Sequence, residues 1–176
     1  MQQRSETSLC RKRLSKFCVG VGLDVGYGGD SIVESAITVD LIPATMKPNI
    51  YPQAAQNIFG DARFLYWFSP NVLDYVYSSH MLEDLSFHDQ IITLIEWKRV
   101  LKVGGLIILY LPDEELYCAH CHKMGRPRNA NHKNGDFSLS WFIENLLPEV
   151  NNLEIVHSNP HCEKYSFEIV MKKVEN

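Results

Sequence analysis

Short apolar runs alternate with polar, glycine-rich or proline-rich segments along the chain. Runs of this length, bounded by turn-forming residues, predict β-strands. The first four predicted strands are Val19–Val25, Ala36–Asp40, Asn57–Gly60 and Leu73–Ser78. A fifth, Leu106–Leu111, is almost wholly apolar, which is typical of a strand buried on both faces.

The segment from Asp89 to Leu101 repeats its apolar residues at helical spacing. Ser86 is suited to cap the start of this helix, and Gly104-Gly105 follow its end. Three prolines make residues 42–56 an irregular connection. Because strands alternate with helical or irregular crossovers, the pattern favours an α/β fold built on a parallel sheet.

The last third of the chain is predicted from weaker signals. Residues 114–136 are polar and rich in His, Asn, Gly and Lys, which predicts a loop. A helix from Leu139 to Leu147 follows, capped by Ser138. Two final strands, Leu153–His157 and Tyr165–Lys172, are expected to flank a turn at Asn159-Pro160. Since residues 114–136 follow the fifth strand, we expect them to form a substrate lid over its carboxyl end.

Composition and charge narrow the class of protein. The 176 residues suit one domain, predicted at residues 19–176 behind a polar, basic leader at 1–18 with one helix across Leu9–Phe17. No apolar run reaches the ~18 residues of a transmembrane helix, and the leader has no secretory signal. The net charge of −4 argues against a nucleic-acid-binding surface. Five cysteines, an odd number, predict reduced thiols and a cytoplasmic location.

The clearest candidate site is Leu23-Asp-Val-Gly-Tyr-Gly-Gly-Asp30, at the end of the first predicted strand. Glycines there let the backbone approach a ligand closely. Asp40 ends the next strand, 14 residues after Gly26, where a carboxylate can accept both hydroxyls of a ribose. The alternative is a glycine turn that happens to precede a solvated aspartate.

With these motifs in this order, the chain resembles the class I S-adenosylmethionine-dependent methyltransferases, of a small, type 11-like kind whose first crossover is abbreviated. The motifs that carry the resemblance are residues 23–30, 39–41, 60–62, 73–85 and 96–113. It implies a Rossmann-like fold with a mostly parallel seven-stranded sheet whose last strand is antiparallel. It also implies S-adenosyl-L-methionine as the cofactor.

The resemblance assigns cofactor contacts residue by residue. Asp24 holds the glycine turn and approaches the cofactor's amino group, Asp40 binds the ribose hydroxyls, and Asp61 faces the adenine amine. The other implied contacts are Gly26, Tyr27, Gly28, Leu41, Ala62, Ser78 and Ser79. Two positions depart from the family: Asp30 stands where a third glycine is usual, and Tyr27 where a small residue is frequent.

Methyl transfer to oxygen or nitrogen requires alignment and often a base. The candidate catalytic bases are His80, after the fourth strand, and His132, in the predicted lid. Cys118-Ala-His-Cys-His122 has only one C-x-x-C and no second ligand pair, so we expect no metal. Arg11-Lys-Arg13 is either a solvated face or a contact for an anionic acceptor.

The sequence therefore predicts methyl transfer to a small acceptor, with O-methylation of a sugar or another hydroxylated metabolite as the favoured case. The short lid offers little surface for binding a macromolecule, which argues against protein or RNA substrates. The rival hypothesis is a catalytically inactive cofactor-binding or regulatory module of the same fold. The sequence leaves the acceptor and the oligomeric state open.

Overall fold

A computed structural model describes residues 5–41 and 56–175. The predicted connection at residues 42–56 lies outside the described residues except for its last one. Seven strands form one sheet in the order β3-β2-β1-β4-β5-β7-β6. They are β1 (Gly22–Val25), β2 (Ile37–Asp40), β3 (Ile58–Phe59), β4 (Leu73–Ser79), β5 (Leu101–Pro112), β6 (Leu153–Cys162) and β7 (Ser166–Lys173). Only β7 runs against its neighbours in this sheet, so the predicted fold class is confirmed.

Four helices accompany the sheet in the described part of the chain: α1 (Glu6–Leu14), α2 (Phe87–Val100), α3 (Glu114–Lys123) and α4 (Leu139–Trp141). Helix α4 continues as a π-helical turn, Phe142–Leu146. The start of α2 is confirmed with its cap, because Ser86 Oγ accepts a hydrogen bond from Asp89 N at 3.2 Å. Its end is corrected, because α2 stops at Val100 and Gly104-Gly105 lie within β5. Buried Trp97 fixes α2 against the end of β3 by donating from Nε1 to the Ala62 carbonyl at 2.8 Å.

The two faces of the sheet are covered unequally. Helix α2 and the α4 segment bury the larger apolar cluster on one face. On the other face, α1 packs Cys10 and Leu14 against buried tyrosines of β4 and β5. Residues 26–36 join β1 to β2 without a helix, as the abbreviated first crossover implied. An ion pair of 2.5 Å between Arg11 and Asp30 ties α1 to this crossover.

Three local predictions are corrected. The leader helix was expected at residues 9–17 and occupies Glu6–Leu14, where Ser5 caps it. The last turn lies at residues 163–165 and not at Asn159-Pro160, which belongs to β6. Proline has no backbone N–H to donate. An edge strand such as β6 tolerates Pro160 because one side of the strand pairs with no neighbour in this sheet. The first half of the predicted lid is helix α3. Its side chains are mostly polar, so no apolar periodicity marks this helix in the sequence.

No helix in residues 5–41 and 56–175 has both the length and the apolar character needed to cross a bilayer. All five cysteines carry free thiols. The cytoplasmic location stays a prediction.

Candidate active site

The glycine turn follows β1 with its backbone in the left-handed region. Gly26, Gly28 and Gly29 have φ values of 68°, 61° and 107°, which side chains with a Cβ adopt rarely. Gly26 N donates to the Val39 carbonyl at 3.0 Å, and Gly28 N donates to Asp40 Oδ2 at 2.9 Å. The turn is therefore fastened to the end of β2, and it holds Asp40 beside the glycines.

A cavity of about 350 Å³ opens at this edge of the sheet. Its volume lies within the range of roughly 300–1,000 Å³ found for ligand pockets. Five of the predicted cofactor contacts line it: Gly26, Asp40, Leu41, Asp61 and Ala62. A Cβ on Gly26 would come within 3.0 Å of the Met81 side chain, so this glycine is needed for the turn to pass Met81.

Asp61 meets a partner that the sequence did not predict. The Arg63 guanidinium binds its carboxylate through two nitrogens, at 2.7 Å from Nη2 and 3.0 Å from Nε. Although partial burial acts to raise the pKa of Asp61, hydrogen bonds and charge from Arg63 hold that pKa below its ordinary value. Asp61 is thus a fixed carboxylate at the cavity wall.

Two predicted contacts, Asp24 and Tyr27, do not line this cavity. Asp24 is buried, and its Oδ2 accepts a hydrogen bond from Ile32 N at 2.7 Å. Burial raises the pKa of this carboxyl well above its ordinary value. Tyr27 lines a separate groove beside Arg11 and Asp30. Asp24 therefore holds the crossover in place through Ile32, and its predicted contacts with the glycine turn and the cofactor's amino group stay predictions.

The two predicted serines end β4. Ser78 is buried, and its Oγ donates to the Val25 carbonyl of β1 at 3.0 Å. Ser79 Oγ is buried and has no hydrogen-bond partner among the described residues. Neither serine lines the cavity, but both lie between the glycine turn and His80.

His80 follows β4 with a φ of 50°, which is rare for a residue other than glycine. Its Nδ1 lies 3.4 Å from Glu83 Oε1, while its Nε2 lies 3.2 Å from Ser166 Oγ and 3.6 Å from Glu6 Oε2. Burial lowers the pKa of His80 to about 3 and raises the pKa of Glu83 well above its ordinary value. His80 is therefore neutral near pH 7, and burial favours the protonated form of Glu83. Glu83 is thus an acid buried beside His80.

His132 has a different kind of partner. Its Nδ1 lies 2.6 Å from Oε2 of Glu114, and both side chains are buried. The Arg128 guanidinium binds the other oxygen of Glu114 and also donates to the His132 carbonyl at 3.1 Å. The ring of Tyr117 packs on the imidazole, with centroids 4.7 Å apart. The predicted lid thus holds an ordered Arg–Glu–His arrangement.

Three side chains at the site were missed from the sequence: Glu114, Arg63 and Met81. A detectable signal existed for Glu114, because an acid that directly follows the fifth strand must lie at the same edge as the glycine turn. In the described residues, no group of three or more His, Cys, Asp or Glu side chains is placed to hold a metal ion. Cys118 and Cys121 lie on α3, where Cys118 Sγ is 3.4 Å from Glu114 Oε1.

Comparison with known protein families matches residues 19–109 to a family described as "Methyltransferase domain". This match covers more than half of the chain, and it includes the glycine turn, Asp40, Asp61 and β4. A search of curated proteins finds no match.

Solved structures share the fold at low sequence identity. A protein from Pyrococcus horikoshii OT3 aligns with a TM-score of 0.71 and 16% identity, covering 94% of this chain and 88% of the other. An S-adenosylmethionine-dependent methyltransferase from Archaeoglobus fulgidus gives 0.69 and 18%, with 97% and 96% covered. The N-methyltransferase NodS from Bradyrhizobium japonicum, solved with S-adenosyl-L-homocysteine, gives 0.58 and 16%, with 97% and 86% covered.

Proposed function

Because the chain belongs to the methyltransferase-domain family, an S-adenosylmethionine-dependent class, we propose that it methylates a hydroxyl group of a small acceptor, with a sugar or a similar hydroxylated metabolite as the substrate class. The observation that carries this proposal is the pairing of a glycine-and-carboxylate cavity with a buried His–Glu dyad at the same edge of the sheet.

The cavity fits the chemistry of the cofactor. Asp40, beside the left-handed turn, supplies carboxylate oxygens suited to a ribose diol. Asp61 supplies a charged acceptor for an exocyclic amine. Asp84 also lines the cavity, and its Oδ1 is buried with no hydrogen-bond partner among the described residues. Such an oxygen is costly unless a ligand donor reaches it, which makes Asp84 a further candidate contact.

When bound, S-adenosylmethionine supplies a sulfonium methyl that is already electrophilic. The remaining task of the protein is to align the acceptor, exclude water and remove a proton. His132 is the base that we propose. A hydrogen bond from Nδ1 to Glu114 leaves Nε2 to accept the proton, and Nε2 has no hydrogen-bond partner in residues 5–41 and 56–175. The arrangement follows the logic by which a carboxylate orients a catalytic histidine.

His80 has another role in this proposal. A histidine whose pKa is about 3 is a weak base near neutrality. Its neutral ring can still offer one N–H and one lone pair. In the structure these two nitrogens face Glu83 and Ser166, so we assign His80 to holding these side chains in place and assign proton removal to His132.

Asp30 motivated the rival hypothesis of an inactive module. In the structure Asp30 pairs with Arg11 and accepts a hydrogen bond from Ser5. Its carboxylate thus anchors α1 to the short crossover, and this contact accounts for a side chain where related turns have glycine. The departure from the family pattern supports no loss of activity.

The proposal is tested by ligand binding and product analysis on the full chain. S-adenosylhomocysteine at 100 times its dissociation constant is expected to stabilise the fold by about 2.7 kcal/mol, and NAD at the same concentration is expected to give no shift in a thermal melt. Incubation with S-adenosylmethionine and a panel of sugars, sugar phosphates and amines should then release S-adenosylhomocysteine with a hydroxylated compound. Cofactor binding with no product from any acceptor would favour the inactive module, and turnover with amines alone would contradict O-methylation.

A further inference from the structure

A second cavity, of about 370 Å³, lies beyond His80. It is walled by α1, by the carboxyl end of β5, by the start of β7 and by the segment that follows α3. We call it the outer cavity; the residues used below are Glu6, Tyr110, His120, Arg126, Lys164 and Tyr165. It shares no lining residue with the cavity that holds Asp40.

The outer cavity holds two cations without ion-pair partners. Neither Arg126 nor Lys164 forms a salt bridge with any residue in the described part of the chain. The arginines of the leader differ, because Arg11 is paired with Asp30 and Arg13 with Glu163 and Glu168. The only other acid in the outer cavity besides Glu6 is Glu163, which Arg13 holds at 2.9 Å. The lining thus has two cations and two acids, but neither Arg126 nor Lys164 is bound by a carboxylate of the described residues, so both cations are available to a ligand.

The inner wall offers unused polar atoms. Tyr110 is fully buried, and its hydroxyl has no hydrogen-bond partner among the described residues. The same is true of Glu6 Oε2, while Glu6 Oε1 accepts a hydrogen bond from the Tyr165 hydroxyl at 3.0 Å. Native proteins rarely leave buried polar atoms unpaired, so a polar ligand is the natural partner for both.

His80 connects the two cavities. Its Nε2 faces Ser166 and Glu6, which line the outer cavity, and Met81, the next residue, lines the cofactor cavity. The ring of Tyr165 lies 5.2 Å from that of Tyr117, which in turn packs on His132. A ligand in the outer cavity would thus lie beside the groups that contact His80, and the rings of Tyr165 and Tyr117 would stand between it and His132.

Resting on the proposed function, we propose that the outer cavity is the acceptor site, and that the acceptor is a small polyhydroxylated molecule that carries an oxyanion, such as a phosphate monoester or a carboxylate. Arg126 and Lys164 bind the oxyanion at the mouth. Tyr110 and Glu6 bind hydroxyl groups deeper in the cavity. The paired state of the leader arginines excludes them as the anion site.

The test uses the full chain saturated with S-adenosylhomocysteine, with inorganic phosphate, acetate and glucose 6-phosphate as probes. Binding is followed by thermal melts at constant ionic strength, so that general screening is the same in each arm. Arg126→Gln is compared with Lys123→Gln, a matched loss of charge on α3 outside the cavity. Tyr110→Phe removes only the unpartnered hydroxyl.

We expect phosphate or acetate to stabilise the chain in a saturable way. The anion that binds more tightly indicates whether the acceptor carries a phosphate or a carboxylate. Arg126→Gln should weaken it about tenfold, as for loss of a charge-assisted hydrogen bond, and Lys123→Gln should leave it unchanged. Tyr110→Phe should weaken the binding of glucose 6-phosphate and leave the binding of inorganic phosphate unchanged. Equal weakening by Arg126→Gln and Lys123→Gln, or no saturable effect of either anion, would overturn the proposal. The proposed function has its own readout here, because failure of S-adenosylhomocysteine to stabilise the wild-type chain would contradict it whatever the anions do.

Discussion

The proposed cofactor end and the proposed acceptor end of the site contain different kinds of chemical groups. At the proposed cofactor end, Gly26 and the carboxylates of Asp40 and Asp61 line the cavity; Gly28 N donates to Asp40, and Arg63 holds Asp61 as an anion. At the proposed acceptor end, the groups are titratable: Glu83, His132 and Glu114 are buried, and His80 is mostly covered.

This difference separates the two tasks of a transferase. Permanent charges that are held in place by fixed hydrogen bonds give a binding affinity that changes little with pH. Buried titratable groups respond strongly to their surroundings, because desolvation and neighbouring charges decide their protonation state. Changes at the cofactor end should therefore alter binding, and changes at the acceptor end should alter turnover or pH dependence.

The largest effect is expected from His132→Ala. Loss of a general base costs roughly 10²–10⁴-fold in turnover, whereas the dissociation constant for S-adenosylhomocysteine should stay within a few-fold, since His132 does not line the cofactor cavity. Steady-state kinetics and calorimetry measure the two quantities. His122→Ala, an exposed histidine on α3, is the matched control and should behave as the wild type. Normal turnover in His132→Ala would remove the base from the proposal.

Asp40→Ala should show the reverse pattern. A charged hydrogen-bond partner contributes about 1.5–3 kcal/mol, so the affinity for S-adenosylhomocysteine should fall roughly 10- to 100-fold. The fold should survive, because Asp40 ends an internal strand without joining the apolar cluster. Glu149→Ala, which removes an exposed carboxylate, serves as the control. Unchanged affinity in Asp40→Ala would disprove the ribose assignment.

The same contrast explains what the sequence revealed. The cofactor end depends on residues close in the chain, since Gly28 and Asp40 are 12 positions apart and the turn needs glycine wherever φ is positive. Its pattern is therefore visible as a motif. The sheet was predictable for a related reason, because buried parallel strands are short apolar runs.

The acceptor end was predictable only in part. Both histidines were identified, but the contact of His80 with Ser166 spans 86 positions and joins two strands. Glu114 and Arg128 reach His132 only because α3 folds back, and polar side chains hid that helix. Long-range polar contacts of this kind leave no periodic trace in a single sequence.

A smaller effect is expected from Glu114→Gln. The amide keeps the size of the side chain but loses the charge that orients His132 and binds Arg128. Turnover should fall about tenfold or more, by the logic of the histidine-orienting carboxylate, with KM and cofactor affinity little changed. Glu115→Gln, the exposed neighbour on α3, is the control. Restoration of turnover by Glu114→Asp would support an orienting role over a merely structural one. A rise in KM as large as the fall in turnover would contradict the orienting role.

The smallest effect concerns His80 and the stability of the fold. Its pKa is about 3 in the folded chain and about 6.5 when exposed, so between these pH values the unfolded chain binds a proton that the folded chain does not. The free energy of unfolding should therefore fall as the pH drops below 6.5, by up to about 1.4 kcal/mol per pH unit. Glu83, whose pKa is raised by burial, acts in the opposite sense, because its folded form holds a proton that the unfolded chain loses above its ordinary pKa.

Asn tolerates the positive φ at position 80, so His80→Asn removes the titration of the histidine without straining the backbone. Urea denaturation from pH 7 to pH 4 should give a shallower acid loss for His80→Asn than for the wild type, while His122→Ala should follow the wild type; parallel curves for His80→Asn would show that this histidine is not desolvated and would restore it as a candidate base.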